Sequence, residues 1–499
     1  MASPLGTEDD ILERLKRSAE PQVVDEQRKA IEGRVRAQYE RAQQRLAELI
    51  NENSTLPVTI SDVRIHGLKN TRDGFLQRVF DPVLDKEKQA NYTLKTAMDE
   101  LQRATSKLHQ FGIFHSIDLY LDQAPASTPD RPAISALLSV KERSRFTLKS
   151  GTEFGNVEGG GYLNATLRNV FGGAESLYAS ASAATSSANV GERARSTYEA
   201  MFSTPIAANP STVVDIGIFS TTRSNQYFAS HAEANQGVRA GLRFITGLGE
   251  HELTYNGVWR QVTDLGKNAS FTVRGDAGDT TKSSITHTVT ADRRDNSMLP
   301  TAGYLLRNHT EIAGAGPLGG DVAFLKNEFD IQKAASLPFG ISFTTGIRGG
   351  VYCPLPLNGK PGVPSRINDR FFLGGATDVR GFRENGLGPK DGEDFVGGDA
   401  YIAYGASMFF PLPKLGVESP LRLQAFVNGG RLLATEKGKT VEDTVKELVD
   451  EVPSVAAGVG LMYAAQMARF ELNVAMPLIK RPEERARKGL QLGVGISFL

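Results

Sequence analysis

Arg380 is the residue whose type and setting most suggest chemistry. It stands in Asp378-Val379-Arg380-Gly381-Phe382-Arg383, within a connection from about Pro354 to Gly398. The same connection carries Arg370-Phe371-Phe372-Leu373-Gly374-Gly375 and closes on Gly397-Gly398-Asp399. It is too long for a hairpin, and loops of that length are usually functional or disordered. A guanidinium on a tip folded among strands needs an anionic or aromatic partner. What it offers is anchoring by ion pair and stacking. Patterns for bond-making fail one by one. Gly438-Lys439-Thr440 lacks the glycine a phosphate cradle needs five positions earlier, where Leu433 stands. His231, His251, His287 and His309 are dispersed, without metal-ligand spacing. Gly-x-Ser-x-Gly is absent. The chain is expected to be no enzyme and to use no metal or cofactor.

A second pattern offers backbone chemistry. In Gly489–Leu499, residues Leu490, Leu492, Val494, Ile496 and Phe498 alternate with Gln491, Gly493, Gly495 and Ser497. A period of two means a strand, and its wholly apolar face, Phe498 included, is expected to look away from water. The small polar face suits the lumen of a membrane barrel. A strand that runs to the last residue has one neighbour in sequence. Its other edge is expected to meet the first barrel strand, Phe146-Thr147-Leu148-Lys149-Ser150-Gly151-Thr152. Glycines 493, 495 and 151 weaken such a seam, since glycine adds entropy cost and little packing.

The elements that position these residues are strands. From Phe146 onward, alternating segments of about ten residues recur between Gly, Pro, Asn and Asp turns. Examples are Gly237–Thr246, Glu252–Val262, Gly303–Ile312, Ala400–Phe410, Leu421–Asn428 and Ala468–Met476. A β-sandwich and a membrane barrel both alternate, so the pattern alone leaves both open. Length favours the barrel: about 350 residues, at about 22 per strand and connection, allow about sixteen strands. The one helical insert lies near Val441–Val449.

Three segments are expected. Residues 1–54 read as a charged helical arm, 55–142 as a small α+β domain, and 143–499 as the barrel with its inserted loop at 354–398. Lys+Arg and Asp+Glu both total 57, which argues against a nucleic-acid partner. Cys353 is the single cysteine, so no intrachain disulfide forms. No run of about 18 apolar residues exists, which excludes a membrane helix and leaves membrane strands open. The acidic first ten residues read as neither secretory signal nor mitochondrial presequence, so entry into an organelle membrane from the cytosol is expected.

The order β-α-α-β-β over 57–142 resembles a polypeptide-transport-associated (POTRA) domain. Phe-Phe-Leu-Gly-Gly at 371–375, Val-Arg-Gly-Phe at 379–382, Gly-Gly-Asp-Ala-Tyr at 397–401 and Asp292-Arg293-Arg294-Asp295-Asn296 resemble the outer-membrane-protein assembly superfamily. One POTRA domain resembles its mitochondrial sorting-and-assembly branch. That resemblance implies a sixteen-stranded barrel in the mitochondrial outer membrane, with the arm and POTRA domain in the intermembrane space. It implies a long loop anchored in the lumen by Arg380, Gly381 and Phe382. The family's acidic partners of this arginine map to Ser407 and Asn428, and its aromatic to Phe426; both acids are missing. Asn428, Phe426, Asp399 or Glu471 are the candidate partners. The resemblance further implies a lateral gate between the first and last strands. Gln491, Gly493, Ile496 and Phe498 fit the sorting signal read in clients, and Gly495 lies on the same strand. Implied partners are unfolded barrel precursors such as porin and the general import pore, two peripheral cytosolic-face subunits, a second barrel protein or copy, and the bilayer. A translocating or passive channel of the same superfamily is the alternative.

Overall fold

The computed structural model describes residues 38, 41, 44, 45, 48, 51–85, 92–125, 127, 132–154, 158–186, 193–357, 362–436, 438–465, 468–495 and 498. Most of the charged arm, and Ile496 of the sorting-signal pattern, lie outside the described residues. The chain divides into two compact units, the first ending at Arg143.

The first unit places β1 (Thr59–His66), α1 (Asp73–Leu84), α2 (Leu94–Gln110), β2 (Phe114–Gln123) and β3 (Ala133–Glu142) in that order. The strands form a sheet ordered β1-β3-β2, with β1 parallel to β3 and β2 antiparallel to it. Thr93 starts α2 by accepting a hydrogen bond from the Thr96 N–H. Gly112, in the left-handed region at φ +68°, turns the chain out of it. The buried stripe Ala97, Leu101, Ala104 and Leu108 recurs at helical spacing. On α1, Phe75, Leu76, Val79, Phe80 and Val83 are buried in turn.

The second unit is one sixteen-stranded antiparallel meander, the strand number expected. Its strands are β4 (Phe146–Phe154), β5 (Glu158–Arg168), β6 (Ser176–Ser186), β7 (Arg193–Pro205), β8 (Thr212–Ser224), β9 (Ala232–Ile245), β10 (Glu250–Thr263), β11 (Gly278–Asp292), β12 (Gly303–Ala313), β13 (Phe324–Ser336) and β14 (Ser342–Pro354). Beyond the long loop, with its hairpin β15 (Lys390–Asp391) and β16 (Asp394–Phe395), come β17 (Ala400–Pro411), β18 (Leu421–Leu433), β19 (Ser454–Ala464), β20 (Arg469–Ile479) and β21 (Gly489–Gly495). Two short helices, α3 (Gln226–Ala229) and α4 (Phe271–Gly275), sit in the β8–β9 and β10–β11 connections. A third, α5 (Val441–Asp450), joins β18 to β19 and opens with a Thr440–Asp443 capping box.

Burial decides between sandwich and barrel. On β20, Arg469, Glu471 and Asn473 are buried, while Phe470, Leu472, Val474 and Met476 are exposed. On β18, Arg422, Gln424 and Asn428 are buried, and Leu423 and Val427 are exposed. Water-facing sheets do the reverse. An exposed apolar face around a polar interior is the pattern of a barrel in lipid. No helix among the described residues is long and apolar enough to cross a membrane.

The interior is filled. Phe371, Leu373, Val379, Phe382 and Leu387 of the long loop form one buried cluster with Phe324, Tyr352, Ala403, Leu432 and Ala456 of the wall. The two ends of the sheet are β4 and β21. Among the described residues no ladder joins them: β4 pairs β5, and β21 pairs β20.

Candidate functional site: loop tip and last strand

The tip of the long loop is gripped by β18, β20, β21 and the connection before β21. Arg380 and Glu471 both have side chains that are 0% exposed. Arg380 donates from Nε to Glu471 Oε2 at 2.9 Å and from Nη2 to Oε1 at 3.2 Å, a two-pronged grip. Its guanidinium lies 4.7 Å from the Phe426 ring centroid. Glu471 also accepts from Gln424 Nε2 at 3.0 Å and Asn473 Nδ2 at 2.8 Å, and it forms an ion pair with Arg469. One carboxylate therefore serves two buried guanidiniums, and aromatic faces take up the excess positive charge. Arg469 has the Phe409 and Phe498 centroids at 4.8 and 4.7 Å.

The backbone of the tip is held as tightly as the arginine. Gln491 on β21 accepts from the Gly381 N–H at 2.9 Å and donates to the Phe382 carbonyl at 3.0 Å. Arg487 N–H donates to the Gly381 carbonyl at 2.8 Å, and Arg383 N–H donates to the Arg485 carbonyl at 2.9 Å. Asn428 Nδ2 lies 3.4 Å from the Arg380 carbonyl, so that amide faces the arginine's main chain. Phe382 is fully buried in the lumenal cluster.

Gly381 is required for two physical reasons. Its φ of +86° costs an L-residue about 1–2 kcal/mol. A Cβ there would stand 2.7 Å from the Ala456 Cβ, and such overpacking costs about 1–3 kcal/mol. Gly381→Ala is expected to loosen the tip by the sum of these. Faster hydrogen exchange at residues 379–387, with the wall strands unchanged, is the readout.

Several placements depart from the sequence reading. Phe498 was expected on the outward apolar face. Instead Phe498 is only 7% exposed, its ring turned into the lumen against Arg469 and, at 5.8 Å, Arg380. The cause lies in the two glycines: a Cβ on Gly493 or Gly495 would stand 3.2 Å from the Phe498 ring or from Thr377. Their bare lumenal face admits the ring and the loop residues Ala376 and Thr377. Asp399 is not a partner of Arg380. One of its carboxylate oxygens accepts from the Thr435 N–H at 2.8 Å, and the other has no partner among the described residues. It secures the root of the loop. Ser407 is buried, with its hydroxyl unpartnered among the described residues.

A second anchor holds the loop farther along. Arg260 on β10 pairs at 2.6 Å with Asp369 in the loop, side chains 4% and 2% exposed. Lys282 on β11 bridges Glu311 at 2.8 Å and Asp369 at 3.7 Å. Only the lumenal position of Arg260 within an alternating strand hints at this.

At the other end of the sheet, β4 presents Phe146 and Leu148 outward, 58% and 55% exposed. Its ladder to β5 runs from Phe146↔Leu167 through Thr152↔Gly161. Thr147 accepts from Arg168 Nη1 at 2.7 Å, and Lys149 and Ser150 are exposed. Gly151 leaves space for the Tyr162 ring, which a Cβ would meet at 2.7 Å.

A family model described as "Omp85 superfamily domain" matches residues 169–498. A SAM50-like protein of Schizosaccharomyces pombe is 39% identical over 456 residues, covering 91% of this chain and 94% of that protein. The sorting and assembly machinery component 50 homolog of Homo sapiens is 31% identical over 447 residues, covering 89% and 91%. Among solved structures, BamA from Haemophilus ducreyi lacking POTRA domains 1–3 superposes with a TM-score of 0.69 at 14% identity, covering 88% of this chain and 84% of that one.

Proposed function

This chain belongs to the Omp85 superfamily, and on that premise we propose that it folds and inserts β-barrel precursors into the mitochondrial outer membrane. The observation that carries the reading is the unpaired junction. The sheet's two end strands share no ladder among the described residues, and one of them bears the polar-x-Gly pattern Gln491-Leu492-Gly493.

The mechanism is exchange. A client's sorting-signal strand takes the place of β21 and pairs with the free edge of Phe146–Thr152. The ladder that β21 gives up on β20 is remade by the client, and bonds to the open edge of β4 are added, so the step is not uphill in backbone hydrogen bonds. No fuel is needed. Each further client strand satisfies its backbone groups on the strand before it, as spanning lipid demands. Burial of the client's apolar face in lipid supplies the drive. The lumen, packed by Phe371, Leu373, Val379 and Phe382, disfavours a passive open channel.

On this reading the protein is integral to the outer membrane, and the first unit is a POTRA domain in the intermembrane space. Its partners are barrel precursors, two peripheral subunits on the cytosolic face, and a second barrel protein or copy. The test is disulfide cross-linking between a client's sorting-signal strand and cysteines placed along 146–152, in a Cys353→Ser background. Adducts along this strand, shifting in register with the client position, are expected. Adducts confined to other strands would refute the reading.

A further inference from the structure

We propose that Arg469, with Arg380, forms a lumenal receptor for an aromatic side chain, which this chain fills with its own Phe498 and a client's sorting-signal segment fills in its turn. The inference rests on the exchange reading above and adds to it a residue-specific reading site.

The site is built from wall residues other than its occupant. Arg469 is 93% buried, with one side of its guanidinium against Phe409 at 4.8 Å and Glu471 beside it. Its Nε has no hydrogen-bond partner among the described residues. The Phe498 ring covers it from another side at 4.7 Å. A buried, incompletely hydrogen-bonded guanidinium favours an aromatic face over water or an aliphatic group, because the ring offers a negative quadrupole at low desolvation cost. Gly493 and Gly495 clear the approach, since any Cβ there would stand 3.2 Å from the Phe498 ring or the adjoining Thr377.

The occupant is lightly held. Phe498 lies beyond the β20–β21 ladder, which ends at the pair Arg469↔Gly495. Its carbonyl is 3.5 Å from Gln332 Nε2, at the outer limit of a hydrogen bond. Among the described residues, ring contacts hold Phe498 more than this bond does. When β21 leaves the edge of β20, Phe498 must leave with it, and the guanidinium loses a covering face. A client strand seated in the same register carries its own residue into the vacancy three positions after the ladder ends. An aromatic there completes the site, and an aliphatic residue fills the space without the quadrupole.

The test uses the purified full chain in detergent and two fluorescent peptides. One copies residues 489–498 and ends in Phe; the other ends in Leu. In the Phe498→Ala chain, the Phe peptide should bind about three- to tenfold more tightly than the Leu peptide. The unsubstituted chain should bind both more weakly, because its own ring competes. Arg469→Gln in the Phe498→Ala background removes the cation that the ring's quadrupole meets, so the preference should vanish while overall binding persists. Equal affinity of the two peptides for the Phe498→Ala chain would overturn the receptor. The same peptides carrying a cysteine separate the two ideas. Cross-links to 146–152 without aromatic preference leave the exchange reading standing and remove this one. Failure to cross-link there removes the exchange reading itself.

Discussion

Glu471→Gln is expected to free the long loop from the lumen, and to do so more severely than Arg380→Gln. Glu471 pairs with both Arg380 and Arg469, and it also accepts from Gln424 and Asn473. Neutralising it removes the carboxylate that both buried guanidiniums share. Removing one partner of a buried ion pair costs about 3–5 kcal/mol, because the survivor keeps its desolvation penalty and loses its compensation. That corresponds to roughly a hundred- to several-thousand-fold rise in the undocked population. In Arg380→Gln, by contrast, Glu471 still pairs with Arg469, so the cost should fall toward the lower end. Hydrogen exchange reads this out in both variants. Gly381 N–H is held by Gln491 and Arg383 N–H by the Arg485 carbonyl, and exchange across residues 379–387 should quicken most in Glu471→Gln. Equal protection in both variants would mean that the aromatic and backbone contacts hold the tip without the ion pair.

The sheet was legible in the sequence because two unlike solvents lie across it. Lipid outside and a polar lumen inside impose a period of two on strands such as β18 and β20, and turn residues mark their ends. The same alternation put Glu471 on the lumenal face and so among the candidate partners of Arg380. It could not choose between Glu471 and Asp399, since that depends on how deep the loop descends. The depth is set by contacts far apart in sequence, such as Gln491 with Gly381 and Arg260 with Asp369, 110 and 109 residues apart. Phe498 was misplaced for a different reason. Periodicity assumes that the alternation holds to the end, and nothing in 490–498 announces that the Phe498 ring turns to the lumen. The glycines read as seam-weakeners are also the space that lets the ring turn inward.

Tying the two end strands together is expected to abolish insertion while leaving the chain folded. Cysteines at Phe146, Leu148 or Ser150, combined with Leu490, Leu492 or Val494, lie on the outward faces of β4 and β21. A pair whose Cα atoms come within about 4.4–6.8 Å can close as a disulfide. A covalent bond cannot be displaced by a client strand, however well that strand pairs, so insertion should fall to background. A chain that only moves polypeptide through its lumen would tolerate the lock. A matched control joins Leu306 to Ile331, which face each other across β12 and β13 away from the junction. That bond should leave insertion unchanged. The decisive measurement is therefore the yield of folded barrel inserted into liposomes by the seam-locked Cys353→Ser chain, before and after reductant. Loss in the oxidised state and recovery on reduction are the predicted result; undiminished insertion through a fully cross-linked seam would contradict the account.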